Sequence, residues 1–220
     1  MKTVTLIFIF WLLLGSKTNA QFFEGIITYK FEVLNNSSIP DSIFRIMFND
    51  ADTEEKLFYS NGNYKTITNI GRSVTLLNLN ENGLVYSYID KTKTASKYDG
   101  TKKTDFDYEL INEDETYTIL GIPCKKIIYK TISKSGLTAE YQMYYSEQLK
   151  VDKSKFKSFT IGYLEFMFKE FGTIPLKIVF TGTGCLHYIS LTATKIDKIE
   201  INPKTFKVPK FKHFFNFPTL

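Results

Sequence analysis

The sequence predicts a mainly β fold, in the β-rich α+β class, and three observations support this prediction. Apolar and polar residues alternate with a period of two in successive runs along the chain, the pattern of half-buried antiparallel strands. Phe and Tyr account for 20 and 14 of the 220 residues, and aromatic side chains favour strands and pair across them. No Pro/Gly/Ser linker and no block of charge divides residues 21–220, so we expect a single domain there.

The first 20 residues have the features of a secretory signal peptide. Lys2 gives a charged start, residues 4–14 form an apolar run, and Thr18 and Ala20 are the small residues that precede a cleavage site. A membrane anchor is the alternative, but it needs about 20 apolar residues, and this run is interrupted at 15–17. We therefore expect an exported protein, periplasmic or secreted, with no transmembrane segment once the signal peptide is removed.

Two strands are predicted first, and together they supply one apolar face. Residues 27–33 alternate most clearly, and residues 43–48 resume the alternation after a polar turn, so we expect a hairpin. A face this apolar must be covered, because large exposed apolar patches mark binding surfaces or aggregation hazards. The side chains predicted to share this face are Ile27, Tyr29, Phe31, Phe44, Ile46 and Phe48.

A meander of shorter strands is predicted to follow. Segments 56–60 and 64–68 flank Asn61-Gly62, a dipeptide that tolerates positive φ at both central positions of a type I′ turn. This is the strongest local hairpin signal in the sequence. Further strands are predicted at 74–79, 84–90, 93–98, 106–110, 138–145, 176–180 and 188–201.

A tight corner is predicted near the middle of the chain. Gly121 can adopt positive φ and Pro123 fixes its own φ near −65°, so the chain should reverse over residues 121–124. The strand after the corner, 126–132, is rich in β-branched residues.

One helix is predicted at 156–171, between a lysine-rich loop and Gly172, a residue typical of the position after a helix. Phe159, Tyr163 and Phe166 recur at helical spacing, and Phe168 belongs to a second apolar row, so this helix would be covered on most sides. One or two buried strands are the alternative interpretation, because Phe and Tyr also favour sheets.

Several short stretches, taken in order, resemble a known group of proteins. They are FEGIITY at 23–29, TILGIPCKK at 118–126, GTIPLKI at 172–178 and FKVP at 206–209. The chain resembles exported bacterial families of unknown function, including the one named for a GLPGLI motif, that are similar to the LolA-like outer-membrane lipoprotein carriers. The segment 172–178 departs from the GLPGLI pattern itself. The resemblance implies an open, strongly curved antiparallel half-barrel with a short helical lid over an apolar concavity, which carries acyl chains in the best-understood relatives.

The predicted apolar face and helix together form a candidate ligand site. If the helix is a movable lid, a lipid, lipopeptide or other acylated ligand could bind beneath it, each buried CH₂ contributing about 0.8 kcal/mol. The alternative is a structural or interaction protein of the cell envelope whose concavity is filled by its own side chains. The candidate ligand-binding residues are Ile27, Tyr29, Phe31, Phe44, Ile46, Phe48, Phe159, Tyr163, Phe166 and Phe168.

No catalytic or cofactor motif is evident in the sequence, so we expect a non-catalytic protein with no cofactor and no metal. Cys124 with His187 is the one pairing that resembles a nucleophile and base, and structural roles are the better interpretation. Spacings of the CxxC, HxxxH, GxGxxG, GxxxxGK[ST] and GxSxG types are absent. The acids Glu54-Glu55 and those of 113–115 are interpreted as solvated turn residues. The charge of +5 is spread along the chain, which argues against a nucleic-acid partner.

The two cysteines, Cys124 and Cys185, are candidates for a disulfide bond, because an oxidising compartment permits one. Closing a loop of about 60 residues would stabilise the fold by roughly 4 kcal/mol in the loop-entropy model. Both side chains could instead be small buried hydrophobes.

Overall fold

The computed structural model describes residues 22–35, 37–48, 53–70, 72–89, 92–102, 106–133, 136–159, 162–182 and 187–216. Their twelve strands form one large, curved sheet that does not close on itself, which confirms the predicted mainly β class. The strands are β1 Gly25–Asn35, β2 Thr53–Ser60, β3 Asn63–Ile70, β4 Arg72–Leu79, β5 Leu84–Ile89, β6 Thr94–Asp99, β7 Phe106–Ile119, β8 Ile122–Ser133, β9 Thr138–Lys150, β10 Thr173–Gly182, β11 His187–Asp197 and β12 His213–Asn216.

The sheet consists of two meanders joined at one seam. Strands β1 to β6 pair in sequence order, and so do β7 to β11, all antiparallel. The seam joins β1 to β11, where Ile27 lies opposite Ile196 and Phe31 lies opposite Leu191. The C-terminal β12 adds to β6 in the parallel direction, so β12 and β7 are the two edges.

The turns predicted at 61–62 and at 121–124 both form, although the second is shorter than expected. Asn61 and Gly62 have φ of 46° and 85°, as the Asn-Gly signal predicts. In the central corner it is Leu120 and Gly121 that have positive φ, 52° and 74°. Pro123 already belongs to β8, opposite Thr118, so the predicted reversal over 121–124 is corrected to these two residues. Pro123 precedes the stretch of β8 that pairs with β9, which starts at Lys125, so its missing N–H interrupts no bond on that side.

Residues 41–48 form a helix, α1 (Asp41–Phe48), so the predicted strand and hairpin there are wrong. The backbone N–H groups of Ile43 and Phe44 donate to the Pro40 carbonyl at 2.9 and 3.0 Å. Asp41 lies in the first turn, where a negative charge favours a helix. The apolar residues 44 and 48 are four apart, a spacing that fits a helix as well as a strand, which is why alternation misassigned this segment.

The second helical region covers 153–171 in pieces. A 3₁₀ turn (Lys153–Phe156) precedes α2 (Tyr163–Phe166), which continues as a π-helical turn (Met167–Phe171). The helix prediction is therefore correct for 163–171 and wrong for 157–159, which lie outside any helix. Gly172 is left-handed, with φ 65°, and its N–H donates to the carbonyls of Met167 and Phe168, as the sequence predicts for a residue after a helix.

This helical region fills much of the inner face of the sheet. Met167 and Phe168 are completely buried. The Phe168 ring meets Tyr59 and Tyr64 edge-on, with ring centroids 5.5 and 5.6 Å apart, a favourable aromatic geometry. A smaller cluster on the outer face holds the C-terminal segment against β4, β5 and β6 through residues such as Tyr88 and Phe206. In the ranges given above, no helix has the length and apolarity that crossing a membrane requires.

Candidate functional site

A cleft of about 220 Å³ lies on the inner face of the sheet, beside α2. Strands β1, β9, β10 and β11 supply its apolar wall, Glu55 of β2 lies at one side, and Tyr163 of α2 covers it. We name this site the inner cleft. Its lining residues are Phe31, Glu55, Tyr141, Tyr163, Ile178, Phe180, Ile189 and Leu191.

Strand register explains why these apolar side chains meet. Residues directly opposite one another on neighbouring strands share a face of the sheet, so paired positions form rows across it. Two such rows, two residues apart along each strand, make the floor of the inner cleft. The first row is Phe31, Leu191 and Ile178, and the second is Ile189, Phe180 and Tyr141.

Aromatic stacking holds α2 over this floor. Tyr163 stacks on Tyr141 with ring centroids 5.4 Å apart and an interplanar angle of 24°. One turn later, Phe166 stacks on Tyr129 at 4.1 Å. The Tyr141 ring also contacts the Phe180 ring, with centroids 4.8 Å apart, so the aromatic contacts run without a break from α2 to the floor. The inner cleft is therefore a site built from rigid strands and aromatic rings.

The structure brings two of the ten predicted ligand-binding residues to the inner cleft, Phe31 and Tyr163. Ile27 and Tyr29 lie on the same face of β1 but are buried in the core, as the strand prediction required. Phe159 and Phe168 are also core residues. Phe166 is partly buried against Tyr129 and lies beside the cleft without lining it.

The other three predicted residues belong to α1 and not to the sheet face. Phe44 is buried, at 3 % exposure. The side chains of Ile46 and Phe48 lie outside the described part of the structure, so their predicted role in a ligand site stays a prediction.

Glu55 is the lining residue that the sequence interpretation placed wrongly. Glu54 and Glu55 are not turn residues; they lie within β2, with Glu54 exposed and Glu55 on the inner face at 8 % exposure. The acids of 113–115 likewise belong to β7. The sequence contained a signal for this position. Glu55, Leu57 and Tyr59 are spaced two residues apart, which places the carboxyl on the same face of the strand as two apolar side chains.

Burial controls the electrostatics of Glu55 and its neighbours. Burial raises the pKa of Glu55, while a hydrogen bond donated by Thr68 Oγ1 acts in the opposite direction. The pKa values of Tyr29 and Tyr163 are also raised, first by burial and then by the nearby charge of Glu55. Tyr29 donates its hydroxyl to the Pro175 carbonyl at 2.8 Å. One buried carboxyl, hydrogen-bonded to a single hydroxyl, thus faces the cleft beside neutral tyrosine hydroxyls.

A second buried carboxyl, Glu165, lies outside the lining of the cleft. Its Oε1 accepts hydrogen bonds from the Tyr64 hydroxyl and from Asn78 Nδ2, the latter at 3.1 Å. Burial raises its pKa to about 7, and the two hydrogen bonds only partly offset that effect. Glu165 is 4 % exposed and does not line the cleft, so its role is in the core.

Cys124 does not have the environment of a reactive thiol. It is buried, its Sγ donates to the Ile122 carbonyl at 3.4 Å, and burial raises its pKa, whereas nucleophilic cysteines have lowered pKa values. Cys124 is a free thiol in the structure, and Cys185 lies outside the described residues, so the disulfide stays a prediction. The side chain of His187 is also outside the described part. Within that part, no group of three metal-binding side chains converges.

A larger groove of about 500 Å³ lies where the helical region begins and ends, beside Asp152 and Gly172. Phe22, Tyr145 and Phe171 contribute aromatic surface, but four charged side chains also line it: Glu147, Lys150, Asp152 and Lys153. Lys153 Nζ already donates to the Glu170 carbonyl at 2.6 Å. The inner cleft is the better candidate for an apolar ligand because one charged group lines it instead of four.

Comparisons with known proteins give no evidence about the function of the inner cleft. No family model matches the chain, and no curated protein shows a significant match. A solved structure of "PNGF-II in C2 space group" is similar at 12 % identity and a TM-score of 0.47, over 86 % of this chain and 31 % of that chain. This chain therefore spans about a third of the length of that structure. A likeness at this level carries no argument about function.

Proposed function

We propose that this protein is an exported, non-catalytic envelope protein that binds a small apolar ligand, or the apolar end of a lipid or lipopeptide, in the inner cleft. The observation that carries the proposal is the cleft's composition: seven of its eight lining residues are aromatic or aliphatic. Sites of this kind, mostly apolar with a few polar groups, are typical of ligand pockets. The leader predicted at 1–20 and the LolA-like resemblance support the same proposal.

The size of the inner cleft limits what it can hold. A volume of about 220 Å³ equals that of about seven water molecules at roughly 30 Å³ each. That space suits a short alkyl or aryl group. Making room for a larger ligand beneath the helical region would require displacing that region, and exposing Met167 and Phe168 would cost roughly 1.5–3 kcal/mol for each side chain. We therefore propose that the helical region stays in place and that a short alkyl or aryl group binds beside Tyr163.

Methyl NMR tests this binding directly, because Ile178, Ile189 and Leu191 line the cleft and report on it. Hexanol, an uncharged probe of matching size, should shift these methyl resonances with a dissociation constant on the order of millimolar, near −4 kcal/mol. Exposed Leu137 and Ile199 serve as reporters that should not move. Unchanged cleft resonances at saturating hexanol would contradict the proposal.

A cleft-filling variant provides the matched control. Ile189→Trp places extra volume in the cleft at a partly buried position and should abolish the hexanol-induced shifts at Ile178 and Leu191. Ile199→Trp makes the same change at a position that is 49 % exposed and should leave them intact.

Intact mass of native protein should show the loss of residues 1–20, and organic extracts of that protein should contain the natural ligand.

The filled inner face favours a second candidate function, an interaction or scaffold protein without a ligand. Phe156, Phe159 and Phe168 already occupy the part of the concavity next to Tyr59 and Tyr64. This candidate predicts empty organic extracts and no response to hexanol, so the same experiments separate the two.

A further inference from the structure

The inner cleft carries one acidic group on an aromatic and aliphatic wall. Glu55 is 8 % exposed and reaches the cleft from β2, which supplies none of the apolar floor. Its neighbour Glu54 points to the opposite face and forms a salt bridge with Lys56 at 2.9 Å. The sequence thus places two adjacent carboxyls on opposite sides of one strand, and only one of them faces a cavity.

Glu55 has a neutral partner and no cationic one in the part of the chain that the structure describes. Thr68 Oγ1 donates a hydrogen bond to it, and none of the lysine and arginine side chains described there forms a salt bridge with it. A buried carboxylate without a counter-charge is costly, since desolvation is not repaid by pairing. A cation supplied by a ligand would provide that missing partner.

The rest of the cleft also suits a cation that carries an apolar substituent. Four aromatic rings line it, from Phe31, Tyr141, Tyr163 and Phe180, and aromatic faces attract ammonium groups within about 6 Å of their centroids. Thr53, two residues before Glu55 on the same face of β2, also has a buried hydroxyl without a hydrogen-bond partner, but it lies outside the cleft lining. An ammonium group can donate three hydrogen bonds, to a carboxylate and to hydroxyl oxygens alike.

We propose that the inner cleft selects small apolar molecules that carry a protonated amine, with the ammonium group bound to the Glu55 carboxylate and the alkyl or aryl part against Leu191, Ile178 and Phe180. This inference rests on the binding function proposed above and specifies the ligand class. It also argues against free fatty acids as ligands, because a second carboxylate beside Glu55 would add like-charge repulsion in a poorly hydrated site.

The test compares three probes of about seven non-hydrogen atoms, the size that the cleft volume admits: hexylamine, hexanol and pentanoate. At neutral pH hexylamine is a cation, since alkylamines titrate near pH 10, hexanol is neutral and pentanoate is an anion. Each is titrated into the wild-type protein while the methyl resonances of Ile178, Ile189 and Leu191 are followed. Hexylamine should bind at least about tenfold more tightly than hexanol, the value of a charge-assisted hydrogen bond, and pentanoate should bind more weakly than either.

Two neighbouring substitutions identify the carboxylate responsible. Glu55→Gln keeps the size of the side chain and an oxygen that can accept from Thr68, and should bring the affinity for hexylamine within about threefold of that for hexanol. The matched control Glu54→Gln changes the adjacent carboxylate on the other face, which is 52 % exposed, and should leave the preference for hexylamine unchanged.

The possible negative results lead to different conclusions about the ammonium selectivity and about the proposed apolar binding. Pentanoate or hexanol binding as tightly as hexylamine to wild-type protein would overturn the inference and leave the proposed apolar binding intact. No response to any of the three probes would overturn the proposed function, and the inference with it. The wild-type comparison needs no variant, so it decides the question even if Glu55→Gln fails to fold.

Discussion

Replacing the buried carboxyl Glu165 by an amide should make the protein more stable at neutral and alkaline pH. Burial raises the pKa of Glu165 from its ordinary value of 4.5 to about 7 in the folded protein. The folded state therefore binds a proton that the unfolded state has lost between about pH 4.5 and 7, and stability falls as the pH rises through that window. Above about pH 7 the full cost is present, roughly 3 kcal/mol at 1.36 kcal/mol for each pKa unit.

Glu165→Gln keeps the shape of the side chain and removes the charge. Its amide oxygen can still accept from the Tyr64 hydroxyl, and its NH₂ group can donate to Asn78 Oδ1, which is buried without a partner. We expect the variant to exceed the wild-type free energy of unfolding by about 2–3 kcal/mol at about pH 8 and by less than about 1 kcal/mol at about pH 4.5.

Urea unfolding followed by far-ultraviolet circular dichroism measures this difference at each pH. Tryptophan fluorescence is unsuitable, since Trp11, the single tryptophan, lies in the predicted leader. Glu147→Gln is the control: its side chain is 71 % exposed and pairs with Lys125 on the surface, so its effect should stay below about 1 kcal/mol at every pH. Parallel pH profiles for wild type and Glu165→Gln would refute the argument, because they would mean that Glu165 does not change its charge in this range.

Four further predictions concern the packing, the backbone and the two cysteines. Phe168→Ala should lower the free energy of unfolding by about 3–5 kcal/mol in urea melts, because the ring is completely buried, whereas Phe215→Ala, at 63 % exposure, should change it by less than about 0.5 kcal/mol; similar losses would contradict the packing. Gly172→Ala should destabilise by about 1 kcal/mol or more, since φ is 65° and the new Cβ would lie 2.7 Å from the Lys153 side chain. Gly121→Asn, where a Cβ meets no atom within 4 Å, should be nearly neutral because Asn tolerates this conformation. Two free thiols in the denatured, unreduced protein would contradict the predicted disulfide, and none would support it.

Local signals in the sequence predicted the elements of this fold well. The Asn61-Gly62 turn and the alternation of 27–33 depend on residues next to one another in the chain, so they can be recognised without knowledge of the rest. Residues 43–48 were misassigned as a strand because the apolar residues 44 and 48, four apart, satisfy both periods. The deciding feature was local as well: Asp41 after Pro40 begins a helix.

The inner cleft was harder to predict because it depends on which strands are neighbours. Phe31 meets Leu191 across the seam, and Leu191 meets Ile178 on the next strand. Each of these residues lay in a predicted strand, but alternation gives the face of a residue and not its partner on another strand. Glu55 was missed for a different reason: an acidic pair suggested a solvated turn, although the two-residue spacing of Glu55, Leu57 and Tyr59 already places its second member on the buried face of β2.

The seam between β1 and β11 has a consequence for how the nascent chain acquires its structure. Thr28 and Thr194 form a hydrogen bond across the seam although 166 residues separate them. At about 5–20 residues per second, ribosomes need roughly 8–33 s to synthesise that interval. During this time the first meander can form hairpins, but one edge of β1 has no partner strand. For most of this time the ribosome has also not yet synthesised Phe168, whose ring packs on Tyr59 and Tyr64. An unpaired strand beside an uncovered aromatic face is prone to aggregate, so we expect this protein to depend on a holdase chaperone until translation has passed residue 197.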